Sequence, residues 1–323
     1  MLGRRRNDDG SAMISRAKSF TGRASATTQT ARNLHRLLGA HPLTSTARAA
    51  AWVRYCRWQA VSRFAPGPIA IPFVNDAVLL GHPGAHAANG NHYFGIYEFE
   101  EMALVGHALR PADLFLDVGA NIGSYSMLAI AAAGASALAL EPVAQTFQDL
   151  QRNARINDFG DRISCLRAAA TADGRGVVMT ADRGAMNRVV SEPSQQGDQT
   201  ETVPGTTLDS VTAERCPAVM KIDVEGFERE VLAGAKSLLA SPGLHTIVLE
   251  TDEDPNGACS AGSAIGMLRA AGLSPIRYDP ISRSVRSEAT PTRHGNVLFT
   301  RDMARLQSLV HEAPPFRVLG RDI

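Results

Sequence analysis

Between residues 113 and 300 short apolar runs alternate with helix-length segments, and this alternation restricts the chain to one broad architecture. Residues 113–118 read as a strand, Gly119-Ala120-Asn121-Ile122-Gly123 as a tight turn, and 124–133 as an Ala-rich helix. Residues 137–140 form a second strand ending at Glu141-Pro142, after which Val143, Phe147, Leu150 and Ala154 mark one helical face. Strands are expected again at 163–168, 218–222 and 246–249. Phe227, Val231, Ala235 and Leu238 make a helical stripe between the last two, and 261–271 reads as a further helix. Strands alternating with crossover helices build a mainly parallel sheet covered on both faces. The runs 273–278 and 296–300 have no helix-length segment between them, so one of this final pair runs antiparallel. Smaller β pieces are expected at 177–180, 188–190 and 201–203, with an exposed loop over 191–200.

The rest of the chain has a different texture. Residues 1–30 are polar and poor in large apolar side chains, a composition that predicts disorder. Helical patterning runs over 31–64 and stops at Pro66-Gly67-Pro68; short strands follow over 69–80, then a Gly-, Ala-, His- and Asn-rich loop over 82–93 and a helix over 96–109. The organisation expected is a basic extension (1–63), a segment capping the open end of the core (64–112), the core domain (113–303) and a tail (304–323).

With 323 residues, 44% of them apolar, the chain can bury an extensive core, which excludes a disordered or disulfide-stapled protein. The net charge of +1 conceals an asymmetry: residues 1–63 hold twelve basic and two acidic residues, +10, which leaves −9 on the remainder. Such an arm is a solvated terminus, or a contact for nucleic acid or an anionic membrane; its Arg/Ser/Ala texture is also that of an organelle transit peptide. Cys56, Cys165, Cys216 and Cys259 form no CxxC pair, so reduced thiols and a cytoplasmic setting are expected. No apolar run reaches the roughly 18–20 residues of a membrane span.

In an open α/β sheet, ligands bind at the carboxyl ends of the strands. The turn after the first strand carries Gly119 and Gly123 where backbone must approach closely, with Asp117 just before it and Asn121 within it. Glu141 ends the next strand, where an acid can bond two ribose hydroxyls. A dinucleotide would call for G-x-G-x-x-G to seat its pyrophosphate. Here Asn121 and Asp117 crowd that place with a side chain and a negative charge, which favours a cationic nucleoside, S-adenosylmethionine, over NAD. A third cluster, Lys221-Ile222-Asp223-Val224-Glu225-Gly226-Phe227-Glu228, spans the end of the fourth main strand and faces the same crevice. Its acids can orient an acceptor hydroxyl or take its proton, or can serve only the helix that follows, and Lys221 can pair with a neighbouring carboxylate.

Residues 113–123, Glu141-Pro142, Asn153, Asn157, Thr206-Thr207-Leu208-Asp209 and the run Lys221 to Glu228 resemble the FkbM family of S-adenosylmethionine-dependent methyltransferases. The likeness extends from Tyr97-Glu98-Phe99-Glu100 to Asn296-Val297-Leu298-Phe299, with Ser126 where Thr is common. It implies a class I, Rossmann-like fold: a seven-stranded, mostly parallel sheet with an antiparallel final hairpin, here with an N-terminal helical extension. It implies O-methylation of a sugar or a complex natural product, with Asp117, Gly119, Asn121, Gly123 and Glu141 at the donor and Asp223 and Glu225 as the active-site carboxylates. Asn187 also resembles a position near the cleft. Asp223 leads as general base, with Glu225 second and His86, His92 or His107 as further candidates. No metal constellation is present in the sequence, and the acceptor expected is a small molecule or glycan rather than a nucleic acid. A non-catalytic binding protein on the same scaffold and a nicotinamide-dependent oxidoreductase stand as alternatives.

Overall fold

The computed structural model describes residues 27–83, 86–180, 189, 200–251, 262–289 and 295–323. Its centre is an eight-stranded sheet: β1 (Leu114–Val118), β2 (Ser136–Leu140), β3 (Ile163–Leu166), β4 (Val219–Ile222), β5 (Thr246–Thr251), β6 (Ser274–Asp279), β7 (Ser284–Ser287) and β8 (Gly295–Thr300). The spatial order is β7-β6-β8-β5-β4-β1-β2-β3. Strands β1 to β5 are mutually parallel, and β8 enters antiparallel between β5 and β6. The sheet has one strand more than the seven expected: Ser284–Ser287 folds back on β6 as an edge strand. That segment is half-exposed and polar, so it carries no apolar run to announce it.

All residues of β1 and β4 are buried, as central strands covered on both faces must be. One face packs on α4 (Phe99–Ala108), α5 (Ser124–Ala133), α6 (Ala144–Ile156) and α10 (Met303–Glu312). The other packs on α7 (Glu228–Ala233), α8 (Lys236–Ala240) and α9 (Ala264–Ala270). Helix α5 packs on β1 and β2 and beside α4, and eight of its ten residues are buried. Small alanines there let the layers approach. The stripe from Phe227 to Leu238 breaks into α7 and α8 at Gly234, where a Cβ would run into the Thr171 carbonyl oxygen.

Before the core stand α1 (Thr27–Ala40), α2 (Arg48–Phe64), an antiparallel hairpin of Ile69–Pro72 with Val78–Gly81, and α3 (His86–Phe94). The loop expected over 82–93 is therefore largely helix. Tertiary packing overrides its weak propensity: Ala88 and Phe94 are buried, and Asn91 Oδ1 accepts from Tyr97 N–H at 2.9 Å. Asn153 and Asn157 clamp the hairpin, their Oδ1 atoms accepting from Leu80 N–H at 2.7 Å and Val78 N–H at 2.8 Å. Asp209 accepts from Ser237 and Leu238 N–H and so caps α8. These three motif residues have structural work that involves no ligand.

Candidate active site

Strand polarity brings the ends of β1, β2, β4 and β5 to one edge of the sheet. Gly119 follows β1 with φ +78°, and a Cβ there would collide with the Asp223 carbonyl oxygen. The turn and the end of β4 therefore touch through bare backbone, and Asp223 N–H donates to Val118 O at 2.9 Å. Asn121 (φ +53°) and Gly123 (φ +85°) complete the left-handed turn, with Gly123 as the N-cap of α5. Glu141 reaches across from β2. Its Oε2 accepts from Asn121 N–H and its Oε1 from Val143 N–H, both at 2.9 Å.

Asp117 is 1% exposed, and its Oδ2 accepts from both the N–H (3.1 Å) and the hydroxyl (2.6 Å) of Ser126. Its visible task is to tie β1 to the first turn of α5. Burial pushes Asp117 up to about 6 against the pull of Lys221 and Ser126, with Asp223 adding repulsion. Burial likewise pushes Glu141 up to about 7 over its two backbone bonds, with Asp223 and Asp117 contributing to the rise. Acids gathered this closely, with Asp223 adding to the rise of both, suit a cation. One backbone bond per oxygen on Glu141 also leaves an acceptor site on each for a vicinal diol.

Lys221 is the anomaly of β4, a cation 3% exposed in a strand otherwise apolar. Its Nζ donates to Asp223 Oδ2 at 2.7 Å and lies 4.8 Å from the centre of the Tyr125 ring. Burial alone would favour the neutral amine; Asp223, Glu98, Glu250 and Asp117 together carry its pKa upward, so it stays charged. Tyr125 donates to Glu98 Oε2 at 2.7 Å, and Asn296 Nδ2 donates to Glu98 Oε1 at 2.8 Å. Glu250, one residue past the Ile222↔Leu249 pair, shares a hydrogen bond with Asp223. Burial and then the charge of Asp223 push Glu250 upward, toward the protonated form that donates in that bond.

The structure thus brings Asp117, Gly119, Asn121, Gly123, Glu141 and Asp223 to one crevice. Glu225 stands two residues further along the chain, half-buried, at φ +50°, a strained conformation for a side chain of this size. Among the histidines, His107 is buried against Tyr278 and Phe316, and His92 packs on Trp58. The side chain of His86, and Asn187 altogether, lie outside the described residues. Glu98, Tyr125, Glu250 and Asn296 are additions that motif reading did not single out as site residues. A lysine inside a buried strand was the one signal pointing toward them. Among the described residues no group of histidines, cysteines and acids could hold a metal ion, and no helix is long and apolar enough to cross a membrane.

Sheet order, the reversed β8 and the glycine turn after β1 are those of the class I, Rossmann-like methyltransferase fold. Residues 117–272, just under half of the chain, match the model of the methyltransferase FkbM domain, so this part of the chain is an FkbM methyltransferase domain, with S-adenosylmethionine as its methyl donor. It is similar to the 31-O-demethyl-FK506 methyltransferase FkbM of Streptomyces tacrolimicus, 28% identical over 209 residues, 54% of this chain and 78% of that one. It is also similar to the hexuronic acid methyltransferase AglP of Haloferax volcanii, 29% identical over 144 residues, 44% of this chain and 58% of that one. A solved FkbM methyltransferase from Methylobacillus flagellatus matches 78% of this chain and 60% of its own, at 14% identity and a TM-score of 0.39.

Proposed function

We propose that this methyltransferase transfers the methyl group to a hydroxyl oxygen of a sugar or another polyhydroxylated small molecule. The observation that carries the reading is Asp223: a carboxylate 29% exposed at the tip of β4, in backbone contact with the glycine turn and held by Lys221. A carboxylate at that place can take the proton a hydroxyl loses as its oxygen attacks. The two similar methyltransferases named above carry names that specify 31-O-demethyl-FK506 and a hexuronic acid, which supports a hydroxylated acceptor.

Glu141 is proposed to hold the ribose hydroxyls, and the turn from Gly119 to Gly123 to lie along the donor. When bound, the donor supplies a methyl group already activated by a sulfonium. The protein's part is alignment, exclusion of water and removal of one proton. Lys221 keeps Asp223 ionised, and the hydroxyl proton passes to the Asp223 carboxylate. Glu225 is proposed to orient the acceptor from the adjoining turn.

The test is transfer of a labelled methyl group from S-adenosylmethionine to a panel of uronic acids, glycans and macrolides. Asp223→Asn should lower kcat by about 10²–10⁴-fold, the range of a lost general base, with S-adenosylhomocysteine affinity held within about twofold. Labelling of amines alone, or full activity in the folded variant, would sink the reading.

A further inference from the structure

From Gly10 to Asn75 the chain holds no acidic residue, and nine of these residues are basic. Helix α2 lies inside this stretch. Its inner face docks on the body: Ala51 and Trp58 are buried, Tyr55 packs on Tyr93, and Arg54 Nη2 donates to Tyr93 O at 2.9 Å. The opposite face carries Ala50, Val53, Arg57, Ala60, Val61 and Phe64 at helical spacing, and all six are exposed. Val53 is 65% and Phe64 86% exposed, so this face is apolar without a cover among the described residues. Arg63 borders it, also exposed.

We propose that this face of α2 seats the protein on an anionic lipid surface, with Val53, Val61 and Phe64 entering the headgroup boundary and Arg57 and Arg63 meeting lipid phosphates. An interfacial helix needs apolar side chains beside cations, and this face offers both with no acid among them. Charge selects among the occupants. A second copy would bring the same arginines against these. Residues 1–26 carry six basic residues against two acidic ones and would be repelled likewise. Nucleic acid would satisfy the arginines and leave the valines in water. The remainder of the chain, at −9, is repelled by an anionic bilayer, so docking is confined to the basic end.

The experiment is co-sedimentation of the full-length protein with vesicles of mixed phosphatidylglycerol and phosphatidylcholine, and with phosphatidylcholine alone. Binding to the mixed vesicles alone, weakened by salt, is expected. Each arginine near such a surface is worth about fivefold, so R57E combined with R63E should lower partitioning by at least about 25-fold. V53D combined with F64D should reduce it to the level of neutral vesicles. Both pairs are exposed and lie on none of the elements that carry the site, so S-adenosylhomocysteine binding stays unchanged and confirms folding. Equal binding to both vesicle types, or variants that sediment like the parent, would overturn the proposal. So would variants whose only change is in oligomeric state or in oligonucleotide binding.

Discussion

Lys221 Nζ lies 2.7 Å from Asp223 Oδ2, a cation 3% exposed beneath an anion 29% exposed. The pair runs from the buried centre of β4 to its open tip. One charge is fixed by the fold so that the other can face the crevice ionised. Glu98 and Glu250 flank the same ammonium, so a single lysine balances several acids drawn from α4's N-cap, β4 and β5.

Removing that lysine should leave the acids uncompensated. Lys221→Met is expected to destabilise the fold by about 3–5 kcal/mol, the cost of deleting one partner of a buried pair. Chemical denaturation would measure it. The variant should also lose methyl transfer, because Asp223 loses the ammonium that holds it at the tip of β4.

Gly119→Ala tests the contact between the turn and β4. The added Cβ would collide with the Asp223 carbonyl oxygen, and a φ of +78° strains any residue but glycine. A loss of about 1–3 kcal/mol is expected from the backbone strain alone. S-adenosylhomocysteine affinity should fall by at least tenfold in calorimetry, since the collision must push the turn and β4 apart. A stable variant with parental affinity would show that this close approach does not matter.

The parallel core was legible because its strands are short apolar runs and its helices keep their apolar spacing. Asp117, Glu141 and Asp223 were legible because they end such strands. Glu98, Glu250 and Asn296 were not: their meeting depends on β8 entering antiparallel beside β5, and Glu250↔Asn296 is a register pair that no local pattern encodes. The helix over His86–Phe94 was hidden because its support comes from distant rings such as Trp58. The strand Ser284–Ser287 was hidden because an edge strand needs little apolar content.

Ser126→Ala should cost about 1–3 kcal/mol, because the buried Asp117 carboxylate loses one of its two hydrogen bonds from Ser126. Thermal unfolding would read the loss. The same variant should raise the pKa of Asp117 further above 6, visible by NMR titration of its carboxyl carbon.

Glu141 gives the site a pH dependence of definite sign. Burial raises its pKa from 4.5 to about 7 in the folded protein, so between those values the folded state keeps a proton that the unfolded chain has released. Its contribution to stability is therefore full below pH 4.5 and is lost as pH rises through about 7. Asp117, raised from 3.8 to about 6, acts in the same direction over a slightly lower window. A bound sulfonium opposes both shifts by favouring the ionised carboxylates. The increase in Tm produced by S-adenosylmethionine should accordingly grow as pH is raised from about 6 to about 8, while the ligand-free Tm declines. Glu141→Gln should flatten both trends and weaken donor binding by about tenfold to a hundredfold, as expected when charge-assisted bonds to two hydroxyls are lost. Parental affinity with an unchanged pH profile in that variant would remove Glu141 from the donor site and leave it only the task of holding the backbone N–H groups of Asn121 and Val143.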